Sequence, residues 1–286
     1  MAQQVPVEDA AQLLGRKTDD VTEIVSDVAY RRLGIVNVMY CGDPSAEDGR
    51  WVLIDAGVAG TARAIERSSE SRFGRAARPA AIVLTHGHFD HVGALSELAE
   101  KWNVPIYAHP LEHPYLDGSQ SYPPPEPSVG GGLMSTLSRF YPRGPIDVSA
   151  WLAELPADGC VPAMPGWQWI HTPGHTRGHV SLWRELDRTL IVGDAFVTTA
   201  QESAYSVLTQ KPELHGPPMY YTTDWDNARA SVERLAALKP ETIITGHGPP
   251  MHGPAMREAL DTLAREFDHV AIPKQGRYVD APKRPR

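Results

Sequence analysis

The stretch Ala80-Ala81-Ile82-Val83-Leu84-Thr85-His86-Gly87-His88-Phe89-Asp90-His91 decides how this chain is read. Its first half is a short apolar run, the pattern of a central strand buried on both faces. Its second half places three imidazoles and a carboxylate within six residues, directly after the strand. With 12 histidines in 286 residues, a chance His-x-His-x-Asp-His has odds on the order of one in a thousand. Such a group gains little from close packing unless something positively charged sits among its members, and a metal pair is the expected occupant. The alternative is a solvated polar turn, and the flanking residues also favour the metal.

Working outward, residues 22–30 and 33–40 read as extended runs. Gly42, Asp43, Pro44, Asp48 and Gly49 then supply turn residues before a third run at 51–55, so a strand meander is expected. Helical spacing through Ala62 and Ile65, with Thr61 placed as a cap, predicts a helix over 61–69. After the histidine cluster, Leu95, Leu98, Ala99 and Trp102 form one helical face in 92–102, and 104–108 returns as a strand. The pattern breaks down from 109 to 166, where Pro123, Pro124, Pro125, Gly130, Gly131, Gly132, Pro142, Pro145, Pro156 and Pro162 interrupt any long element. A few helical turns around 133–140 are expected there. Long Pro- and Gly-rich insertions are more often functional than idle, so this one is a candidate lid or substrate loop, and Tyr122, Phe140, Tyr141 and Trp151 argue against full disorder.

Strand-like runs resume at 167–171, 180–184 and 189–193. Thr223-Asp224-Trp225-Asp226 has the form of a capping box, followed by Ala228, Val232, Leu235 and Leu238 on one helical face. Residues 243–245 read as a short buried strand. Gly253-Pro254 opens a last helix through Ala255, Ala259, Leu260, Leu263 and Phe267, and the tail after Pro273 looks irregular. Strands and helices that recur in two halves predict two sheets covered by helices on their outer faces. No internal linker divides the chain, so residues 1–286 are expected to form one domain.

Hydrophobic residues make up 42% and charged residues 22%, ordinary globular usage that disfavours disorder. A formal charge of -8, with no basic run beyond the short tail Lys283-Arg284-Pro285-Arg286, disfavours a nucleic-acid partner. No apolar run approaches the length of a membrane span. Cys41 and Cys160 are too few and too far apart for a disulfide framework and read as free thiols. The opening residues carry Glu8, Asp9, Asp19 and Asp20 in place of a basic start and an apolar stretch, so cytoplasm is the default address. The expected partner is a small-molecule substrate. A homodimer stays open.

Three further polar positions follow apolar runs at turns: His175 in Thr172-Pro173-Gly174-His175, Asp194 in Val192-Gly193-Asp194, and His247 in Thr245-Gly246-His247. They stand 89 residues after His86, another 19 on, and another 53 beyond that. On these residues the chain resembles the metallo-β-lactamase superfamily from about 36 to 250. The resemblance implies an α+β fold, a four-layer αββα sandwich that binds metals along one edge. It implies His86, His88 and His175 at a first metal, Asp90, His91 and His247 at a second, and Asp194 bridging the two. Imidazole and carboxylate suit Zn²⁺, with Fe or Mn as alternatives, and two such divalent ions would lower the pKa of a shared water toward about 7. A metal-bridging hydroxide would then be the nucleophile, and Asp90 and Asp194 the catalytic carboxylates.

Flavodiiron-type members carry an acid where His88 stands, which argues against an oxygen-reducing di-iron site. A bridging Asp194 argues against antibiotic hydrolysis. The expectation is a dinuclear hydrolase of an ester, thioester or lactone, similar to the glyoxalase II and lactonase branches. The alternative is a mononuclear iron dioxygenase acting on a persulfide, using His86, ligands near His88, and Asp194. A third reading is a metal-stabilised binding protein with a silent site. His179 and Asp55 resemble positions that orient ligands, although Asp55 could equally well only stabilise its turn. His109, His113, His171, His215, His252 and His269 read as ordinary histidines. Phe89, Tyr122, Met134, Phe140, Tyr205 and Tyr220 are pocket candidates, with substrate choice expected to depend on 109–166 and 201–221.

Overall fold

Successive residues of a strand face opposite ways, and in this chain both ways lead into apolar core. The computed structural model describes residues 5–7, 17–18, 21–75, 77–210 and 212–279. After β1 (Val5–Pro6), one sheet runs in the order β2 (Lys17–Thr18), β3 (Val21–Val25), β4 (Val28–Leu33), β5 (Val36–Cys41), β6 (Val52–Ile54), β7 (Ala81–Val83), β8 (Ile106–Ala108) and β9 (Leu152–Glu154). The second sheet comes from the C-terminal half: β10 (Trp167–His171), β11 (Val180–Arg184) and β12 (Thr189–Gly193). After β13 (Glu213–Leu214), which pairs with β1, it continues with β14 (Thr242–Thr245) and β15 (Met251–His252).

On the first sheet, Met39, Cys41, Val52, Ile54 and Val83 face Val180, Leu182, Ile191 and Ile244 of the second sheet. Their sequence neighbours Val38, Tyr40, Leu53 and Ile82 point the other way, onto α1 (Ala62–Phe73) and, beyond the short α2 (Phe89–Val92), onto α3 (Leu95–Trp102), through Ile65, Phe73, Leu95, Leu98 and Trp102. On the second sheet Leu190, Val192 and Ile243 likewise turn outward, under α7 (Trp225–Ala237) and α8 (Gly253–Arg265). The order of layers is helix, sheet, sheet, helix. Each fully buried Val, Leu or Ile contributes about 1.5–3 kcal/mol, which explains why these strands are continuous apolar runs rather than alternating ones.

Several boundaries differ from the sequence expectation. The run 22–30 is two strands, because Ser26-Asp27 forms a tight turn between β3 and β4. A second turn at Gly34 (φ 68°) delays β5 until Val36. Asp224, not Thr223, caps α7, its carboxylate accepting the Asn227 N–H at 3.0 Å; such a cap is worth about 1 kcal/mol. Thr61 stands at the start of α1, but its hydroxyl donates to the Val58 carbonyl and caps nothing. The 92–102 helix is α2 and α3 with a break at Gly93-Ala94, and α8 stops at Arg265, leaving Phe267 to α9 (Phe267–Val270).

The 109–166 segment is more ordered than its prolines and glycines suggest. It holds a 3₁₀ turn (Pro110–Glu112), α4 (His113–Leu116), α5 (Leu133–Leu137) with a 3₁₀ extension (Ser138–Phe140), and β9, which pairs parallel to β8 at the sheet edge. Backbone pairing supplied by a distant strand overrides weak local propensity. A last short helix, α6 (Ala204–Thr209), precedes β13. Both cysteines are free, Cys41 buried and Cys160 exposed. Among the described residues no helix is long and apolar enough to cross a membrane. The acidic positions Glu8, Asp9, Asp19 and Asp20 and the basic tail at 283–286 lie outside the described residues.

Candidate metal centre

Parallel strands end at the same edge, and here they deliver the polar residues together. Ile54 of β6 pairs beside Val83 of β7, so Asp55 and the Thr85 to His91 turn emerge side by side. Gly193 of β12 pairs beside Thr245 of β14, which brings out Asp194 and His247. The turn between β10 and β11 adds His175. Convergence at the carboxyl ends of parallel strands is the usual way that distant sequence positions meet. All seven residues expected from the sequence are buried, and their ligand atoms form three overlapping groups: His86, His88 and His175; His86, His91 and Asp194; Asp90, His91 and His247. Within each group these atoms lie within 4.8 Å of one another.

In the first group, His86 Nε2 and His175 Nε2 each lie 3.0 Å from His88 Nδ1. The partners of the other ring nitrogens determine where the protons are. Thr85 donates its hydroxyl hydrogen to Asp55, so its oxygen accepts from His86 Nδ1 at 3.1 Å. Thr222 donates to the Pro218 carbonyl and therefore accepts from His175 Nδ1, also at 3.1 Å. Both Nε2 atoms are thus bare. At most one proton, on His88, can lie among three converging nitrogens. Burial lowers the pKa of all three imidazoles, that of His175 to about 4, and neighbouring histidines press His86 and His88 further down. They are neutral electron-pair donors.

The second group is differently charged. His91 donates from Nδ1 to Asp55 at 2.8 Å, leaving its Nε2 without a hydrogen-bond partner and 3.6 Å from Asp194 Oδ2. His247 donates from Nδ1 to the Ile35 carbonyl at 2.6 Å, and its Nε2 faces Asp194 Oδ2 at 3.1 Å and Asp90 Oδ2 at 3.4 Å. Burial works against protonating either ring, yet Asp194 and Asp55 hold His91 well above its ordinary value, and Asp194 raises His247. Burial also opposes ionising Asp194, but His247 and His91 hold it well below the usual carboxylate range. Asp90 is pushed up by burial. Buried carboxylates facing imidazole lone pairs are costly by several kcal/mol unless a positive charge lies between them.

Other groups aim these candidate ligands. Asp55 accepts the Thr85 N–H, the Thr85 hydroxyl and His91 Nδ1, each at 2.8 Å, so it does more than stabilise its turn. His179 joins no metal-competent group: its Nε2 accepts the Asp194 N–H at 2.8 Å, with Nδ1 tied to Thr172. Gly246 must be glycine, because a Cβ there would lie 2.2 Å from Asp194 Oδ1. Asn37, which sequence reading passed over, donates from Nδ2 to the Thr245 and Gly248 carbonyls at 2.9 and 2.7 Å and so grips the His247 turn from the first sheet. A polar residue inside the apolar run Val36-Asn37-Val38 was the available signal. Glu112 was also missed, and a lone acid after His109-Pro110-Leu111 carried no signal.

Aromatic rings border the Asp90 side. His88 lies between Tyr122 (centroids 4.5 Å apart) and Tyr221 (4.4 Å), and Phe89, Tyr141 and Tyr220 continue the cluster. Of the pocket candidates, Phe89 and Tyr220 sit here, with Met134 in contact with the Tyr141 hydroxyl at 3.6 Å. The Tyr122 hydroxyl is engaged by Glu112 and Gly87, while Phe140 and Tyr205 are exposed, at 71% and 73%. His109 stacks on His171 away from the cluster, and His215 pairs with Glu213. Among the described residues no other histidine joins a metal-competent group.

The fit to metal ions is good: bare nitrogens converge, Asp194 Oδ1 and His91 Nε2 are buried without partners, and the donor set is imidazole and carboxylate. The sequence model described as the metallo-beta-lactamase superfamily matches residues 31–247. The chain is 47% identical over 236 residues to the protein named "Probable metallo-hydrolase YflN" of Bacillus subtilis (strain 168), covering 82% of this chain and 89% of that one. It is 31% identical over 188 residues to "Probable metallo-hydrolase YybB" of the same organism, covering 64% of this chain and 72% of that one. In three dimensions it is similar to TTHA1623 in a di-iron-bound form (TM-score 0.51, 26% identity, 80% of this chain and 92% of that one). A beta-lactamase domain protein from Burkholderia ambifaria shares the fold at TM-score 0.61 and 19% identity, over 92% of this chain and 79% of that one. Two packed sheets with a histidine and aspartate cluster at one edge, matched along three quarters of the chain, lead to one conclusion: the chain belongs to the metallo-beta-lactamase superfamily.

Proposed function

We propose that this metallo-hydrolase holds two divalent ions and cleaves an ester, thioester or lactone, in the manner of the glyoxalase II and lactonase branches of its superfamily. The observation that carries the reading is the position of one atom. Asp194 Oδ2 lies 3.5 Å from His175 Nε2, 3.6 Å from His91 Nε2 and 3.1 Å from His247 Nε2, so a single carboxylate oxygen addresses both histidine groups. On this reading His86, His88 and His175 would hold the first ion, Asp90, His91 and His247 the second, and Asp194 would contact both. When bound, the ions supply Lewis acidity and a water that ionises at near-neutral pH.

The protein's own groups do the rest. Thr85, Thr222, Asp55 and Ile35 hold the Nδ1 sides of His86, His175, His91 and His247, so that these four rings already turn Nε2 inward before any ion arrives. Such preorganisation removes a reorganisation cost from the reaction. Asp90 presents its carboxylate beside the aromatic cluster of Phe89, Tyr141, Tyr220 and Tyr221. Those rings exclude water from that side and offer an apolar wall to the organic part of a substrate.

The test combines metal analysis with turnover on aryl-ester, thioester and lactone panels. Two ions per chain and hydrolysis of at least one class are expected. Absence of turnover on all three overturns the hydrolase chemistry proposed here, and one iron per chain with persulfide-dependent oxygen uptake replaces it with the dioxygenase.

A further inference from the structure

The two loops that carry the first group, at 86–88 and 175–179, come from different sheets and share no ladder. Glu112, fully buried in the 3₁₀ turn Pro110–Glu112, joins them. Its Oε2 accepts the N–H of Gly87, the residue between His86 and His88, at 3.0 Å. Its Oε1 accepts the N–H of Gly178 and the hydroxyl of Thr176, both at 2.8 Å, in the loop that begins at His175. The Tyr122 hydroxyl completes the set on Oε2, and the Tyr122 ring lies against His88. Burial raises the Glu112 carboxyl above the ordinary range, and these four donors work against that shift.

Close approach is built in on both sides. A Cβ on Gly178 would lie 2.7 Å from Glu112 Cγ, and one on Gly87 would lie 2.7 Å from the Tyr122 hydroxyl. Each carboxylate oxygen faces one backbone N–H, which cannot reverse its direction as a hydroxyl can. Only a group with two acceptor oxygens satisfies both loops at once.

We propose that Glu112 is a positioning residue for the first metal group: it sets the distance between the loop bearing His86 and His88 and the loop bearing His175. The inference rests on the reading of those three histidines as ligands of one ion. Glu112→Gln keeps the shape and replaces one acceptor by an NH₂, which must face a backbone N–H whichever way the amide turns. The first group loses its spacing, while the second, anchored by Asp55 and Ile35, does not.

The test is Co²⁺ titration of the purified full chain, followed by visible absorption and chelator competition, with thermal melting of the metal-free protein alongside. Glu112→Gln is expected to weaken one of two Co²⁺ sites by about 10-fold or more, to alter that site's spectrum, and to leave the other site within about twofold of wild type. Tyr122→Phe and Thr176→Val each remove a single donor, and a smaller weakening of the same site is expected from each; they decide the matter if the Gln variant does not fold. Unchanged affinities and spectra overturn the proposal, and so does equal weakening of both sites. His175→Ala separates the two levels. If it leaves Co²⁺ binding intact, the ligand reading fails; if it abolishes one site and Glu112→Gln weakens neither, only the role of Glu112 fails.

Discussion

The two halves of the candidate metal centre differ in charge: one is neutral, the other built of ion pairs. Around His86, His88 and His175 every donor is a neutral imidazole with a depressed pKa, and the supports are hydroxyls, Thr85 and Thr222. Around Asp90, His91 and His247 carboxylates stand directly against imidazoles whose pKa is raised, and the supports are the Asp55 carboxylate and the Ile35 carbonyl. Without an ion, the second half can neutralise itself by holding protons on its histidines. The first half is neutral already and takes up no proton. The difference teaches that a proton competes with metal mainly at the second group, whereas the geometry of opposed lone pairs limits the first.

Asp194 is the member that both halves share, so its removal is expected to have the largest effect. Asp194→Ala should lower binding of both ions and reduce turnover by more than the ~10–100-fold that loss of an outer partner costs. Metal content after gel filtration, read beside activity, checks it; loss of one ion alone would show the halves to be independent.

Asp55→Asn comes next. Whichever way the amide turns, its NH₂ replaces an acceptor: at the Oδ2 position it faces His91 Nδ1 and the Thr85 hydroxyl, and at the Oδ1 position it faces the Thr85 N–H, so affinity at the second group should fall about 10–100-fold. The effect at the first group should be smaller, because it passes only through Thr85 to His86. Chelator competition on the variant measures both, and equal losses would break the division into halves.

Acidification should separate the halves most gently. An imidazole with a raised pKa takes up its proton at higher pH as the solution is acidified, and one with a depressed pKa resists until lower pH. As pH falls through the ordinary histidine range, the ion at Asp90, His91 and His247 is expected to leave first, because His91 and His247 gain protons at or above that range, with that at His86, His88 and His175 following only nearer the value of about 4 shown by His175. Metal retention measured across a pH series should therefore fall in two steps, and a single step would contradict the comparison.

Much of the fold was legible because burial leaves a composition record. Strands with both faces in a core, such as β7 and β12, are continuous apolar runs wherever they occur, and the polar residue that ends each run stands out against them. The turn at Ser26-Asp27 was hidden because the residues on both sides have the same strand character. Strand β9 was hidden because its exposed Glu154 and short length give no periodicity, and only the β8 edge beside it makes it a strand. Glu112 was illegible for a related reason, and Asn37 stood out only as a polar residue inside an apolar run. Their partners lie 10 to 211 residues away, and nothing local tells which partner such a side chain will meet.

The sequence by itself determined the identity and spacing of the donors: which residues could hold a metal, and that they stand where apolar strands end. The tertiary structure decided how each donor points. Which nitrogen of His86, His91, His175 and His247 faces the cluster depends on a hydroxyl, carbonyl or carboxylate brought to its other side, some from a neighbouring residue and some from another strand. Residue types are local properties of the chain, whereas tautomers and lone-pair directions are set by partners that meet only when parallel strands bring their ends to one edge.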